Sequence, residues 1–140
     1  MFHLVRIENA RMNVPEPIVY EATASEAIAI GEALVLSAGK LTKCGATTAP
    51  EYIAMKSVAA ADTDRRCPVF RVEPNQIFAV ELSAAPTGLV VGAKVTLHTD
   101  GLKVTATTLG GSNNTEKIGV VTIVDLCDAA AAGDKILGRI

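Results

Sequence analysis

The sequence has no tryptophan, and only three phenylalanines and two tyrosines among its 140 residues. Nucleic-acid readers that stack bases need an aromatic platform, and this composition does not supply one. Nor is there a charge excess to hold phosphates: 13 Lys+Arg face 15 Asp+Glu, for a formal net charge of −2. No stretch approaches the ~18 uninterrupted apolar residues of a membrane-spanning helix. The first twenty residues also lack the basic region and sustained apolar run of a signal peptide. The cysteines, Cys44, Cys67 and Cys127, are odd in number and far apart. A disulfide framework favours an even count and a zinc site favours closely spaced pairs, so these read as reduced, mostly buried thiols in a reducing compartment.

What is abundant is small apolar side chains. Hydrophobic residues make up 49% and charged residues 20%, and alanine, valine and threonine carry much of the hydrophobic and strand-forming character. Such a chain can offset the entropy of ordering by burial, which excludes intrinsic disorder. Its length fits one domain burying roughly two-thirds of its unfolded surface. A thin core built this way is expected to complete its burial against copies of itself or a partner.

Residues 1–20 read as an extended N-terminal arm. Val14-Pro15-Glu16-Pro17 resists both helix and central strand, because each proline lacks an N–H and biases its predecessor to extended geometry. Phe2, Leu4, Arg6, Ile7, Arg11 and Val14 are its candidate contact residues. Such an arm cannot bury its apolar side chains against itself, so it lies on its own body or on another molecule.

Residues 21–140 read as the body. Short β-branched runs alternate with turns: 33–36 and 41–43 around Ser37-Ala38-Gly39-Lys40, 52–55, 69–72 and 77–82 around Glu73-Pro74-Asn75-Gln76, then 92–98 and 102–105 around Asp100-Gly101. Two final runs, 117–124 and 135–140, follow a polar loop at 110–115. Regularly spaced short strands of this kind predict an all-β fold, a small β-barrel or sandwich with little helix. Gly31, Gly92 and Gly133 each precede a strand, as tight turns feeding equivalent positions would.

Residues that could carry chemistry are few. His3 and His98 are the only histidines, and a metal pair requires the arm to fold back. No local signature couples a cysteine to His98. Gly110-Gly111 lacks the Lys-Ser/Thr of a phosphate loop. Asp62, Asp64, Arg65 and Arg66 form the densest charge cluster, and Asp64, Arg65 and Arg66 are candidates for pairing with a neighbouring subunit, since arginine suits bidentate interfaces. Ala54-Met55-Lys56-Ser57 is similar in three of four positions to the Ala-Met-Lys-Met turn of biotin carrier domains, with Lys56 as the acceptor. Ser57 departs from that motif.

The proline-bearing arm, Gly31-Glu32-Ala33-Leu34-Val35-Leu36, Pro50-Glu51-Tyr52-Ile53-Ala54-Met55, Asn75-Gln76-Ile77-Phe78, Val91-Gly92-Ala93-Lys94-Val95 with Asp100-Gly101-Leu102, and Ala132-Gly133-Asp134-Lys135-Ile136 occur in an order that resembles the small β-barrel structural proteins of tailed bacteriophages, especially capsid decoration (cement) proteins. The resemblance covers most of the chain in style and order. It implies a non-enzymatic virion protein without cofactor, a homotrimer bound to the major capsid protein on the outer capsid surface, where it stabilises the shell by linking subunits. The arm would order on the shell, with backbone pairing for affinity. Another tail or head-fibre component is the neighbouring reading.

Overall fold

The computed structural model describes residues 1–8, 15–106 and 118–140. Its strands form two sheets, as the all-β reading expects. One has five strands: β2 (Ile18–Glu21), β6 (Arg66–Arg71), β5 (Tyr52–Ala54), β3 (Ala33–Ser37) and β4 (Lys40–Lys43), in that order and all antiparallel. The other has six: β1 (His3–Ile7), β7 (Gln76–Leu82), β11 (Lys135–Arg139), β10 (Val121–Asp125) and β8 (Lys94–Val95) in order, with β9 (Lys103–Val104) pairing β7 in parallel. The arrangement is a sandwich. The five-stranded sheet also curls, so that its ends touch at a bridge between Ala22 and Leu41, without closing fully into a barrel.

The pairing corrects the expected arm. β1 is antiparallel to β7 within the six-stranded sheet, and Phe2 is 3% exposed with its ring edge-on to Phe78. The boundary drawn at residue 20 falls inside β2, a strand of the other sheet. Apolar residues at 2 and 4 alternate toward the shared core, and the core holds them; a proline-rich link does not require the strand before it to leave the body. Arg11 and Val14 lie outside the described residues, as does the polar loop at 110–115.

Turn chemistry sets most connections. Ala38 and Gly39, at φ 49° and 77°, make the two-residue turn of the β3–β4 hairpin, the left-handed pair that matches strand twist. The Asp100-Gly101 hairpin is present, with Leu97 bridged to Val104 and Asp100 Oδ1 accepting from Leu102 N–H and Lys103 N–H. The turn at 73–76 also forms, with Gln76 N–H on Glu73 O at 3.0 Å, but β6 and β7 do not pair with each other. This turn instead carries the chain from one sheet to the other. Turns, not helix, occupy the region around Asp128, where Cys127 and Asp128 take φ of 50° and 58°.

Strand alternation divides the interior in two. In the five-stranded sheet Leu34, Leu41, Tyr52, Ala54, Cys67 and Val69 point to one cluster, inside the curl. Ala33, Ile53 and Phe70 point the opposite way, into a larger cluster with Phe78, Val80, Leu82, Val95, Val121 and Ile136 of the other sheet. A sheet buried on both faces needs apolar residues at successive positions. Close approach matters between β10 and β11 too. A Cβ on Gly138 would lie 2.5 Å from Val121 Cγ1.

Candidate functional site

The two sheets leave one flank open. β1 is an edge strand with a single partner strand among the described residues, so its alternate backbone groups point away from the sheet. Its register slips between Leu4 and Arg6: Leu4 faces Phe78, Arg6 faces Ile77, and Ile7 faces Gln76. The extra residue of this bulge is Val5, which is 49% exposed. A bulge of this kind interrupts pairing at a sheet edge.

Beneath the β1 edge lies a groove of about 720 Å³, lined by residues 1–7 together with Pro15, Ile30, Gly31, Ile53, Ala54, Met55 and Phe70. Its volume falls within the ~300–1,000 Å³ of ligand pockets, and its lining is chiefly apolar. The N-terminus is brought here by Phe2 N–H donating to Gly31 O at 2.9 Å. Gly31 is required at that crossing: its φ is 75°, and a Cβ would meet Met1 Cβ and Phe2 O at 2.9 Å. The Met1 amine stands 3.8 Å from Glu81, and partial burial moves its pKa below the usual range despite that carboxylate.

The expected contact residues divide sharply. Phe2 is core, Leu4 packs against the core, and Ile7 is half-buried. Arg6 is exposed and lies 3.6 Å from Glu8, which also pairs with Arg139. Sequence reasoning placed an arm at these positions and missed the groove. Ile30, Met55 and Phe70 belong to three separate segments, and no local pattern announces that they meet.

Asp64, Arg65 and Arg66 do not form a single charged face. Arg66 grips Asp64 in a two-point pair, Nε to Oδ1 at 2.9 Å and Nη2 to Oδ2 at 3.1 Å. These hydrogen bonds draw the Asp64 carboxyl down to about 2. Arg65 turns inward, donating to Thr23 O at 2.7 Å and to the carbonyls of Glu26 and Ala59. A fork of guanidinium donors suits loop carbonyls that converge in this way, so Arg65 fastens its own chain instead of reaching a neighbour. Lys56 sits in an exposed bend after β5. Ser57 accepts Ile30 N–H at 2.9 Å, and the Cys67 thiol reaches Lys56 O at 3.4 Å. The departure at Ser57 thus has a structural use.

The remaining reactive groups are dispersed. Cys44 and Cys67 are buried, while Cys127 lies exposed on its turn. Burial pushes the Cys44 thiol up to about 11 and raises that of Cys67. His98 Nδ1 is 3.2 Å from Asp100 Oδ2, and His3 lies on exposed β1. Among the described residues no three His, Cys, Asp or Glu side chains gather as metal ligands, and no helix is long and apolar enough to cross a membrane.

No protein-family model matches the chain, and no curated protein matches its sequence. A solved structure does match: the crystal structure of head fiber gp8.5 N base in bacteriophage phi29. The two superpose with a TM-score of 0.56 at 18% identity, covering 89% of this chain and 94% of that one. This chain shares that fold. At this identity the likeness is one of architecture.

Proposed function

We propose that this chain is a non-enzymatic structural protein of a tailed-phage virion, seated on the outer surface of the head and bound to the major capsid protein. The observation that carries this reading is the fold it shares with a head-fibre base across nearly the full length of both chains. The order of turn and strand segments that resembles decoration proteins supports it from the sequence. Within this reading the chain stabilises the head by linking shell subunits, as a homo-oligomer, a trimer by that resemblance. Each attachment contributes modestly, and multivalency multiplies the effect over the shell.

The test is sedimentation of purified heads with the chain, followed by its copy number per shell protein. A fixed stoichiometry on intact heads, with heads made more resistant to heat, is the expected result. Failure to sediment with heads overturns head attachment, and unchanged heat resistance of saturated heads overturns the stabilising role. A low copy number confined to few positions would assign the chain to a fibre base instead of a shell-wide cement. An intact mass equal to that of the bare chain after expression with biotin ligase would dispose of Lys56 as a carrier site.

A further inference from the structure

Apart from Ile18 and Val19 on β2 and Ile118, the exposed large hydrophobic side chains among the described residues lie at two places, on opposite edges of the six-stranded sheet. Met1, Val5, Ile30 and Met55 are exposed around the groove at the β1 edge. Val90 and Val91, 59% and 61% exposed, stand in the turn that leads into β8, the far edge strand. Valine is not a turn former, and the local fold does not call for it here. The turn is built by its neighbours: Leu89 is buried in the shared core, Gly92 takes φ 88°, and Ala93 N–H donates to Val90 O at 3.1 Å. Two branched apolar side chains are therefore held rigidly in water.

Charge follows the same division. Glu16, next to the groove-lining Pro15, is exposed and has no ion-pair partner among the described residues. Lys94, two residues after Gly92, is likewise exposed and without an ion pair among the described residues. A free carboxylate thus borders the groove and a free ammonium borders the valine turn.

We infer that the Val90-Val91 turn of one copy seats in the β1 groove of a second copy, with Lys94 facing the second copy's Glu16. The knob and the groove are different surfaces of one chain, so the contact is head-to-tail. Such contacts close into a ring where the rotation permits and otherwise run on as an open chain. The groove has room for both valine side chains, and burying them there removes from water the two most exposed large apolar side chains among the described residues. This inference concerns isolated copies and is measured without heads. Its failure would leave head attachment standing, and loss of head attachment would leave it standing.

The experiment is light scattering and sedimentation on the purified full chain. The wild type is expected to self-associate. Val90→Asp with Val91→Asp blocks the knob, and Met55→Asp blocks the groove. Each is expected to weaken association at least tenfold while circular dichroism shows the fold intact, and Ile30→Asp replaces Met55→Asp should that variant not fold. The decisive step is mixing. A knob-blocked chain keeps its groove and a groove-blocked chain keeps its knob, so the two monomeric variants together should form a capped one-to-one dimer. A monomeric wild type, variants that associate like the wild type, or a mixture that stays monomeric would each overturn the inference. Weakened association of Lys94→Glu, restored by adding Glu16→Lys, supports the charge contact, and no effect of Lys94→Glu removes it.

Discussion

The two sheets are built from similar strands and live in different surroundings. The five-stranded sheet is covered on both faces: its concave side closes on Leu34, Leu41, Tyr52 and Val69, and its other side meets the six-stranded sheet. The six-stranded sheet gives the shared core only one face. Its β1 edge forms one wall of the groove, whose other wall includes Ile53, Ala54 and Phe70 of the five-stranded sheet, and it carries the valine turn before β8. One sheet thus organises the interior while the other presents surfaces. Small side chains serve the first task, since alanine at 22, 33 and 54 is almost wholly buried in or beside the curl.

The comparison breaks most directly at Phe78. Its fully buried ring meets Phe2 edge-on and stacks on Phe70, joining the β1 edge to the five-stranded sheet. Phe78→Ala is expected to cost about 3–5 kcal/mol. Leu34→Ala, in the smaller cluster inside the curl, is expected nearer the lower end of the ~2–5 kcal/mol range, because fewer neighbours lose contacts there. Urea unfolding of both variants measures the difference. Equal losses would mean that the two clusters act as one core. Deleting residues 1–8 should behave like Phe78→Ala, since it removes Phe2 and a whole strand from β7.

A smaller effect is expected where strands approach too closely to admit a side chain. Gly138→Ala places a methyl against Val121 between β10 and β11, and should cost about 1–3 kcal/mol by overpacking. Adding Val121→Ala should recover part of that loss. No recovery would show that backbone flexibility, not crowding, fixes glycine there.

Glu32 tests the seam between the sheets. It is 1% exposed, its Oε2 accepts Ala29 N–H at 2.7 Å, and Lys43 Nζ lies 3.5 Å from Oε1. Burial raises its pKa above the ordinary carboxylate value, although the Ala29 hydrogen bond and Lys43 oppose the shift. The folded chain therefore holds the Glu32 proton more tightly than the unfolded chain. The stability this supplies is fully present below the unfolded pKa and is lost as pH rises through the folded one. Glu32→Gln keeps an acceptor for Ala29 without the charge. It should be more stable than the wild type at pH 8, by about 1 kcal/mol, with the gap closing toward pH 4. Thermal melts across that range check it, and a gap that widens on acidification would reverse the assignment.

Much of the fold was legible because turns and alternation are local. Gly101 after Asp100, Ala38-Gly39 and the glycines at 31, 92 and 133, all at positive φ, mark turns or strand starts as the sequence indicates. The sequence does not say which strands pair. The turn at 73–76 looks the same whether it closes a hairpin or crosses between sheets, because the choice rests on where Phe70 and Phe78 find partners. The site was less legible for the same reason. A bulge at Val5 and a groove assembled from several distant segments depend on tertiary register, and two valines in a turn look like the start of a strand until their exposure is known. Residues 1–20 do not stand apart as an arm, because alternation at Phe2 and Leu4 directs β1 into the shared core whatever the prolines after it do.

The three cysteines permit the two sheets to be compared without disturbing either. Cys67 lies inside the curl of the five-stranded sheet, Cys44 in the core shared by both, and Cys127 on the exposed turn between β10 and β11. Thiolate is the reactive form, and burial raises the pKa of Cys44 to about 11 and that of Cys67 as well, so the fold suppresses both reactivity and access. The Cys127 thiol is raised too, by partial desolvation and the Asp125 carboxylate, so access is what sets it apart: a thiol reagent at pH 8 should modify Cys127 first, with no measurable loss of stability, and leave the other two for the opening of the structure. If the two cores open only together, Cys44 and Cys67 will share one slow rate that falls with added stabiliser. If the flank beside β1 gives way first, Cys44 will react ahead of Cys67, and Phe78→Ala will widen that lead. A Cys67 that reacts first would place the weaker core inside the curl, and so reverse the division of labour between the sheets.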